Sequence, residues 1–219
     1  MPGRLHLLFD LDGTLTDSAP GIVRCIDHAL AGLGRRPAGE ARLRPMIGTP
    51  LAAIFAAVLD TTDAALLDDA VARYRERFDA IGVFENALFP GILDALDAFA
   101  AAGHPLQVVT AKPTPAARRV LDHFAIAGHF AAVHGPALGD RTCDKADLVA
   151  AALTTAAAAS GEAVMIGDRA DDVRAAHRHG VRAVAAGWGY GAHAELHAAG
   201  PAYFALSVAD LRDWIRTAG

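Results

Sequence analysis

The sequence predicts an α/β fold in which helices flank a parallel β-sheet and a helical insert interrupts the sheet early in the chain. Short apolar runs bounded by turn residues alternate with helical patterns over most of the 219 residues, as is typical of parallel strands buried on both faces. The stretch from about 20 to 84 breaks this alternation, because it holds several helical patterns and no convincing strand. In such a sheet, ligands bind outside the carboxyl ends of the strands.

The strands and helices of the core are predicted from this alternation. Five apolar runs predict strands, over residues 5–9, 105–109, 131–133, 163–166 and 181–185. The helical patterns between and after them cover residues 92–102, 115–124, 145–159 and 171–179. Each run ends at turn or polar residues, so the polar side chains that follow the strands are the first candidates for a site.

The helical insert is predicted from three apolar stripes at helical spacing. The stripes consist of Ile22, Ile26, Ala29, Leu30 and Leu33; of Leu51, Ile54, Phe55, Val58 and Leu59; and of Leu66, Leu67, Ala70, Tyr74 and Phe78. Glycines and prolines separate the first two stripes. We therefore assign residues 1–16 and 85–219 to an α/β core domain, and residues 17–84 to a helical domain inserted after the first strand.

Composition excludes several classes of protein. Hydrophobic residues make up 53% and charged residues 21% of the chain, which argues against intrinsic disorder. The formal net charge is −5, whereas a dedicated nucleic-acid binder carries a basic excess. No apolar run reaches the length of about 18 residues that a membrane span needs. Two cysteines, Cys25 and Cys143, cannot form a disulfide framework. We expect a soluble cytoplasmic protein with no nucleic-acid or membrane partner.

Two acidic clusters follow two of the predicted strands. Asp10 and Asp12 come directly after the first strand, beside Gly13, which permits a sharp turn. Asp168 follows a later strand, with Asp172 four residues further on. A lone acid in such a place is usually a turn or helix-cap residue, but paired acids can serve as nucleophile and proton-transfer group. If the two strands are neighbours, Asp168 faces Asp10, and a hard cation such as Mg²⁺ would offset their repulsion.

Two further polar residues stand where a phosphoryl group can bind. Thr110 ends the second core strand, and its hydroxyl with a following backbone N–H can hold a phosphoryl oxygen; an ordinary side-chain turn is the alternative. Lys145 opens a helix, where an ammonium group can neutralise a phosphoryl group; a solvated lysine is the alternative.

The four motifs, in this order, resemble those of the haloacid-dehalogenase-like (HAD) superfamily, specifically its phosphatases with a helical cap after the first strand. The motifs are Asp10-Leu11-Asp12-Gly13-Thr14, Thr110, Lys145, and Gly167-Asp168 with Asp172. The resemblance covers nearly the whole chain and is greatest to phosphoglycolate phosphatases and 5′-nucleotidase-like enzymes. It implies a Rossmann-like parallel sheet flanked by helices, an inserted α-helical cap domain, and Mg²⁺-dependent hydrolysis of a small phosphomonoester, either phosphoglycolate or a nucleoside 5′-monophosphate, by a monomer or homodimer.

The resemblance also implies a role for each motif residue. Asp10 is expected to attack phosphorus and form an aspartyl-phosphate. Asp12 is expected to protonate the leaving oxygen and then to activate water. Thr110 and Lys145 are expected to bind phosphoryl oxygens. Mg²⁺ is expected to be held by Asp10, the backbone carbonyl of Asp12, and Asp168.

Asp172 is expected to support the Mg²⁺ site through water or through the other ligands. Substrate contacts are expected from Thr110, Ala111, Lys112 and Lys145, and from Gly48 in the insert. For Lys112 the alternative is a solvated side chain, and for Gly48 it is a plain turn between two helices.

Other assignments remain open. A sugar-phosphate mutase of the β-phosphoglucomutase type would form the same aspartyl-phosphate and return the phosphoryl group to a sugar. A non-catalytic binding module on this fold would be expected to lack Asp10, Asp12 or Lys145, and the chain has all three. The glycine-rich loop 187–191 lacks the full spacing of a dinucleotide-binding fingerprint, and we expect it at the rim of the pocket. The segment 135–140 departs from the pattern of close relatives, which bears on substrate choice.

Overall fold

The structure is a computed structural model that describes residues 4–140 and 143–218. Its strands are β1 (His6–Phe9), β2 (Thr16–Asp17), β3 (Ala87–Leu88), β4 (Leu106–Val109), β5 (Phe130–His134), β6 (Ala163–Gly167), β7 (Arg182–Ala186) and β8 (Tyr203–Ala205). Its helices are α1 (Ala19–Gly32), α2 (Glu40–Leu43), α3 (Leu51–Leu59), α4 (Ala64–Ala80), α5 (Ile92–Ala101), α6 (Thr114–His123), α7 (Lys145–Ala156), α8 (Ala170–His177), α9 (His193–Ala198) and α10 (Val208–Ala218).

Six of the described strands form one parallel sheet in the order β5-β4-β1-β6-β7-β8. The first strand is central, with Phe9 opposite Val108 on one side and Ile166 on the other. The chain builds the sheet outward from β1 to β5 and then crosses back to β6, so the direction of strand order reverses beside β1. Ligands bind at such a switch point in open α/β sheets. The predicted fold class is confirmed.

The sheet is apolar on both faces because its strands are covered on both sides. Along β1, Leu7 and Phe9 join one buried cluster while Leu8 joins another. The same alternation places Ile166 of β6 in the first cluster and Met165 in the second. Burial on both faces explains why these strands are continuous apolar runs in the sequence.

The helical segment behaves as the apolar stripes predict. Residues 20–84, all of which the structure describes, form α1 to α4 with short turns between them and no strand. Besides shared apolar packing, its contacts with the rest of the chain include an ion pair of Asp79 with Arg119 at 2.9 Å and the Phe84 ring, which packs edge-on against His123. Its assignment as a separate cap domain stays a prediction. No described helix combines the length and apolar character that a membrane crossing requires.

Several predicted details differ from the structure. The predicted helix 145–159 ends at Ala156, because Ala157 adopts a left-handed conformation with φ of 50°. The prediction missed β8, α9 and α10 near the end of the chain, and the two-residue strands β2 and β3. These two strands pair antiparallel, with Thr16 opposite Leu88, where the chain leaves for the helical segment and returns from it.

Candidate active site

The candidate site lies at the carboxyl ends of β1 and β6, which are neighbours in the sheet. Asp10 follows β1 and its backbone N–H donates to the carbonyl of Ile166 at 2.9 Å. Asp168 follows β6, and Asp172 lies in the first turn of α8. Asp10, Asp168 and Asp172 each place one carboxylate oxygen within 4.8 Å of the others, and all three side chains are buried. The sheet order therefore brings the two acidic clusters together.

Burial and the crowding of negative charge raise the pKa of two of these acids, Asp10 and Asp168. Burial raises the pKa of Asp10 to about 6, and the charges of Asp172 and Asp12 add to this while Lys145 opposes it. Burial, with the charges of Asp10 and Asp172, raises the pKa of Asp168 to about 7. Ionisation of these two buried carboxyl groups is therefore unfavourable.

Lys145 supplies a positive charge inside this cluster. Its Nζ lies 3.0 Å from Oδ1 of Asp10 and also contacts Oδ1 of Asp172. Burial lowers the pKa of Lys145, but Asp10 and Asp172 outweigh this effect and raise the pKa above its ordinary value. The Asp144 side chain caps α7 by accepting a hydrogen bond from the backbone N–H of Ala146 at 2.9 Å, which fixes Lys145 in the first turn.

Asp12 is held apart from the cluster by a second lysine. Both of its carboxylate oxygens accept hydrogen bonds from Nζ of Lys112, at 2.9 and 2.7 Å. The loop after β4 sets the position of Lys112, since its backbone N–H donates to Oγ1 of Thr110 at 3.2 Å. Thr110 is buried and makes this side-chain turn while also lining the cavity described below. Lys112 is therefore a buried ion-pair partner and not a solvated side chain.

The glycine-rich loop 187–191 packs against Asp168 and none of its residues lines the cavity described below, so the prediction that it forms the pocket rim is wrong. The backbone N–H of Tyr190 donates to Oδ2 of Asp168 at 2.8 Å, and the Thr14 hydroxyl donates to Oδ1 at 3.2 Å. A Cβ at Gly189 would lie 2.2 Å from Cβ of Asp168, so only glycine allows this approach. The loop fixes the orientation of the carboxylate.

Tyr190 also ties this loop to the start of the helical segment. Its hydroxyl donates to Oδ1 of Asp17 at 2.8 Å and accepts from the backbone N–H of Ala19 at 3.0 Å. Sequence reasoning did not identify this tyrosine, nor the pairing of Lys112 with Asp12, because both depend on contacts between residues far apart in the chain. The one available sequence signal was an aromatic residue inside a glycine-rich loop.

A cavity of about 210 Å³ opens beside Asp10 and Asp12. Its sheet side includes Thr110, Ala111, Lys112 and Lys145, and its helical side is mainly apolar. The apolar side chains there are Ile22, Ile47, Leu51, Ile54, Val71, Tyr74 and Phe78, and the segment 135–140 adds Pro136, Leu138, Gly139 and Asp140. A floor of acids and lysines thus faces a mainly apolar ceiling, to which Arg75 and Asp79 add one cation and one acid.

Gly48 lines this cavity from the turn before α3. It has a φ of +99°, a conformation that side-chain-bearing residues rarely adopt, and a Cβ there would lie 3.2 Å from Cγ of Arg169. Gly48 therefore both forms the turn before α3 and lies on the wall of the cavity.

One family model and two named enzymes match most of this chain. The family model described as haloacid dehalogenase-like hydrolase matches residues 7–186. A 5′-nucleotidase of Pseudomonas aeruginosa is 41% identical over 207 residues, which cover 94% of this chain and 93% of that protein. A phosphoglycolate phosphatase of Xylella fastidiosa is 33% identical over 188 residues, covering 85% and 82%.

A mycobacterial kinase and a solved phosphatase structure are also similar to this chain. The tyrosine-protein kinase PtkA of Mycobacterium tuberculosis is 40% identical over 186 residues, which cover 84% of this chain but 62% of that protein. A crystal structure of a predicted phosphatase from Clostridium acetobutylicum superimposes with a TM-score of 0.91 at 34% identity, covering 98% of this chain and 99% of that one.

Proposed function

Because the chain belongs to the haloacid dehalogenase-like hydrolase family, we propose that it hydrolyses small phosphomonoesters through an aspartyl-phosphate formed on Asp10. The observation that carries this proposal is the pairing of a buried, crowded carboxylate with Lys145 at the floor of the cavity. Asp10 is the acid of the cluster that lines the cavity, while Asp168 and Asp172 lie behind it. A nucleophile must reach the substrate, so Asp10 is the acid to assign to it.

The proposed reaction has two in-line transfers. In the first, a carboxylate oxygen of Asp10 attacks phosphorus, the bond to the leaving oxygen breaks, and Asp12 gives its proton to that oxygen. In the second, Asp12 takes a proton from water as the water oxygen attacks phosphorus, which releases phosphate and restores Asp10. Thr110 and Lys145 bind the phosphoryl oxygens and orient the group between attacking and leaving atoms.

The charges of the site fit a divalent cation, and we propose Mg²⁺. Among the described residues at the floor, the buried carboxylates of Asp10, Asp12, Asp168 and Asp172 face the ammonium groups of Lys112 and Lys145. This leaves an excess of two negative charges, consistent with the raised pKa of Asp10 and Asp168. Asp10, Asp168 and the backbone carbonyl of Asp12 would hold the ion, with Asp172 supporting it. When bound, the cation offsets negative charge on the phosphoryl group.

The apolar helical side of the cavity favours a nucleoside 5′-monophosphate over phosphoglycolate. Phosphoglycolate carries a second negative group and almost no apolar surface, whereas a nucleoside presents a flat base. Tyr74 and Phe78, whose rings stack on each other with centroids 5.4 Å apart, give this side an aromatic surface. Gly48 has no side chain and Ala111 a small one, so both leave room for the substrate between the helices and the sheet. The Pseudomonas 5′-nucleotidase supports the same choice.

The acceptor of the phosphoryl group decides between hydrolysis and transfer. The same aspartyl-phosphate could pass to a sugar hydroxyl in a mutase, or to a tyrosine hydroxyl, and one mycobacterial relative is named a tyrosine-protein kinase. Water is the acceptor that requires no further binding surface, and we assign it. The free thiols of Cys25 and Cys143 are consistent with a reducing compartment, and we propose the cytoplasm.

Phosphate release tests the proposal directly. The protein is assayed with nucleoside 5′-monophosphates, phosphoglycolate and a sugar phosphate, each with Mg²⁺ and with EDTA. We expect Mg²⁺-dependent release, greatest for a nucleotide, and a loss on the order of 10³-fold or more in Asp10→Asn, which removes the nucleophile.

The matched control is Asp171→Asn, which changes an exposed aspartate one residue before Asp172 and should retain full activity. Full activity of Asp10→Asn would refute the assigned nucleophile. Sugar-phosphate isomerisation or tyrosine phosphorylation without phosphate release would refute hydrolysis as the function.

A further inference from the structure

Lys112 is placed to act on Asp12 alone among the acids of the site floor. Its Nζ contacts both carboxylate oxygens of Asp12, and the two side chains are 7% and 12% exposed. Lys145, in contrast, contacts Asp10 and Asp172. The two buried lysines therefore contact different carboxylates. One lysine lies on the nucleophile, and the other lies on the group assigned to proton transfer.

The surroundings of Lys112 fix its ammonium group and leave its side chain only 7% exposed. Its Nζ lies 5.0 Å from the ring centroid of Phe78 on α4, an arrangement that attracts a cation to the face of the ring. Its backbone is anchored to Thr110 at the end of β4. The charge is thus held between a carboxylate from the sheet and an aromatic ring from the helical segment, and the low local dielectric strengthens its effect on Asp12.

We propose that Lys112 is a positioning residue that orients the Asp12 carboxyl group and stabilises the negative charge that Asp12 acquires during catalysis. This inference rests on the proposed function. As the bond between phosphorus and the leaving oxygen breaks, the Asp12 proton moves to that oxygen, which becomes an alcohol, and Asp12 becomes a carboxylate beside the ammonium group. In the return step the same carboxylate takes a proton from the attacking water. Lys112 exchanges no proton in either step.

This role predicts a dependence on the leaving group. A strongly basic leaving oxygen needs the Asp12 proton as the bond breaks, whereas a weakly basic one leaves without it. Phenyl phosphate and p-nitrophenyl phosphate have closely similar shapes, but p-nitrophenolate is much the weaker base. Because kcat/KM covers the steps up to release of the leaving group, it isolates the first transfer from the second.

The test compares kcat/KM for these two substrates in the wild type and in Lys112→Met, which keeps the length and apolar stem of the side chain. We expect a loss of about 30-fold for phenyl phosphate and of about threefold or less for p-nitrophenyl phosphate. Lys112→Arg, which retains the positive charge, should recover most of the activity on phenyl phosphate. Equal losses for both substrates would overturn the proposal, since they would indicate general binding or structure.

A double-mutant cycle provides the second test. If Lys112 acts through Asp12, then Lys112→Met should cause no further leaving-group-dependent loss in the Asp12→Asn background. An undiminished loss in that background would overturn the proposal. Circular dichroism confirms folding of each variant, and Lys112→Gln replaces Lys112→Met if the latter does not fold. Absence of phosphate release by the wild type, or full activity of Asp10→Asn, marks failure of the proposed function itself, and this inference fails with it.

Discussion

Asp168 is fully buried beside two other carboxylates, and burial together with their charges raises its pKa to about 7. Two hydrogen bonds hold it there, from Thr14 and from the backbone of Tyr190. An acid whose pKa is higher in the folded state than in the unfolded chain destabilises the fold once pH rises above its unfolded value. Asp168 is therefore retained against a cost in stability, as is common for residues that serve a site.

This cost gives a prediction for the metal-free protein. Below pH about 4, Asp168 is protonated in both states and the cost is absent; it develops as the pH rises towards about 7, where the folded state ionises. In EDTA, Asp168→Asn should therefore have nearly the wild-type melting temperature at pH 4 and one about 3–6 °C higher at pH 8. Thermal melts across this pH range measure the difference.

In Mg²⁺ the wild type should have a higher melting temperature than Asp168→Asn, the reverse of the order in EDTA at pH 8. A cation that binds only the folded state stabilises the wild type, by about 2.7 kcal/mol at a concentration 100 times its dissociation constant. Asp168→Asn, which lacks one of the proposed ligands, should gain much less. The control is Asp171→Asn, an exposed acid whose loss should change neither response. A wild type whose melting temperature ignores Mg²⁺ would contradict the proposed metal site.

The sequence predicts the position of a site residue where that position follows from the backbone alone. Asp10, Thr110 and Asp168 each follow a strand, and parallel strands end at one edge, so their convergence could be predicted. The pairing of Lys112 with Asp12 depends on side-chain directions in two loops, which no local pattern specifies.

At the scale of elements, the loop 187–191 supports the site from behind. Gly189 and Gly191 pack directly on Asp168, where a Cβ would lie 2.2 Å from its Cβ and 2.0 Å from its backbone oxygen respectively. The Trp188 indole N–H donates to the carbonyl of Thr14 at 3.0 Å. The loop thus joins the ends of β1, β6 and β7 at one point, with no room for larger residues.

Gly189→Ala should therefore displace Asp168. The added methyl would also lie 2.4 Å from the backbone oxygen of Gly13, which cannot move freely, so we expect destabilisation of about 1–3 kcal/mol and a loss of activity above tenfold. Urea unfolding and phosphate release measure the two effects. Gly128→Ala is the control, because no other atom lies within 4 Å of a Cβ there. Wild-type activity in Gly189→Ala would show that the loop does not position the carboxylate.

The short strands that escaped prediction have weak local signals, whereas the missed helix α10 has buried apolar residues at helical spacing, Val208, Leu211 and Ile215. The strand β8 has three residues, and β2 and β3 have two each, too few to show a period of alternation. Their place is set by pairing with chain segments that fold elsewhere, as with Ala185 opposite Phe204. The long helices α1 and α4, in contrast, show apolar stripes over several turns, and the sequence predicts them correctly.

At the scale of the whole molecule, the helical segment and the sheet share one apolar core. A single buried cluster contains Phe9 and Leu106 of the sheet together with Ile26, Phe55 and Tyr74 of the segment. The site lies on this boundary, since the sheet carries the acids and the segment closes the cavity. We propose that residues 17–84 are a cap over the site, and the shared core means that this cap depends on the sheet for its stability.

The shared core predicts one unfolding transition for the two parts. Both tryptophans, Trp188 and Trp214, lie outside residues 17–84, so their fluorescence reports the sheet, whereas far-ultraviolet circular dichroism reports helices throughout the chain. Because the larger apolar cluster spans both parts, unfolding either one exposes apolar surface of the other, and the two signals should share one midpoint in urea. Mg²⁺, whose proposed site lies at the sheet, should shift both signals equally. A segment that folds independently would instead lose its dichroism at its own midpoint, and Mg²⁺ would move only the fluorescence transition.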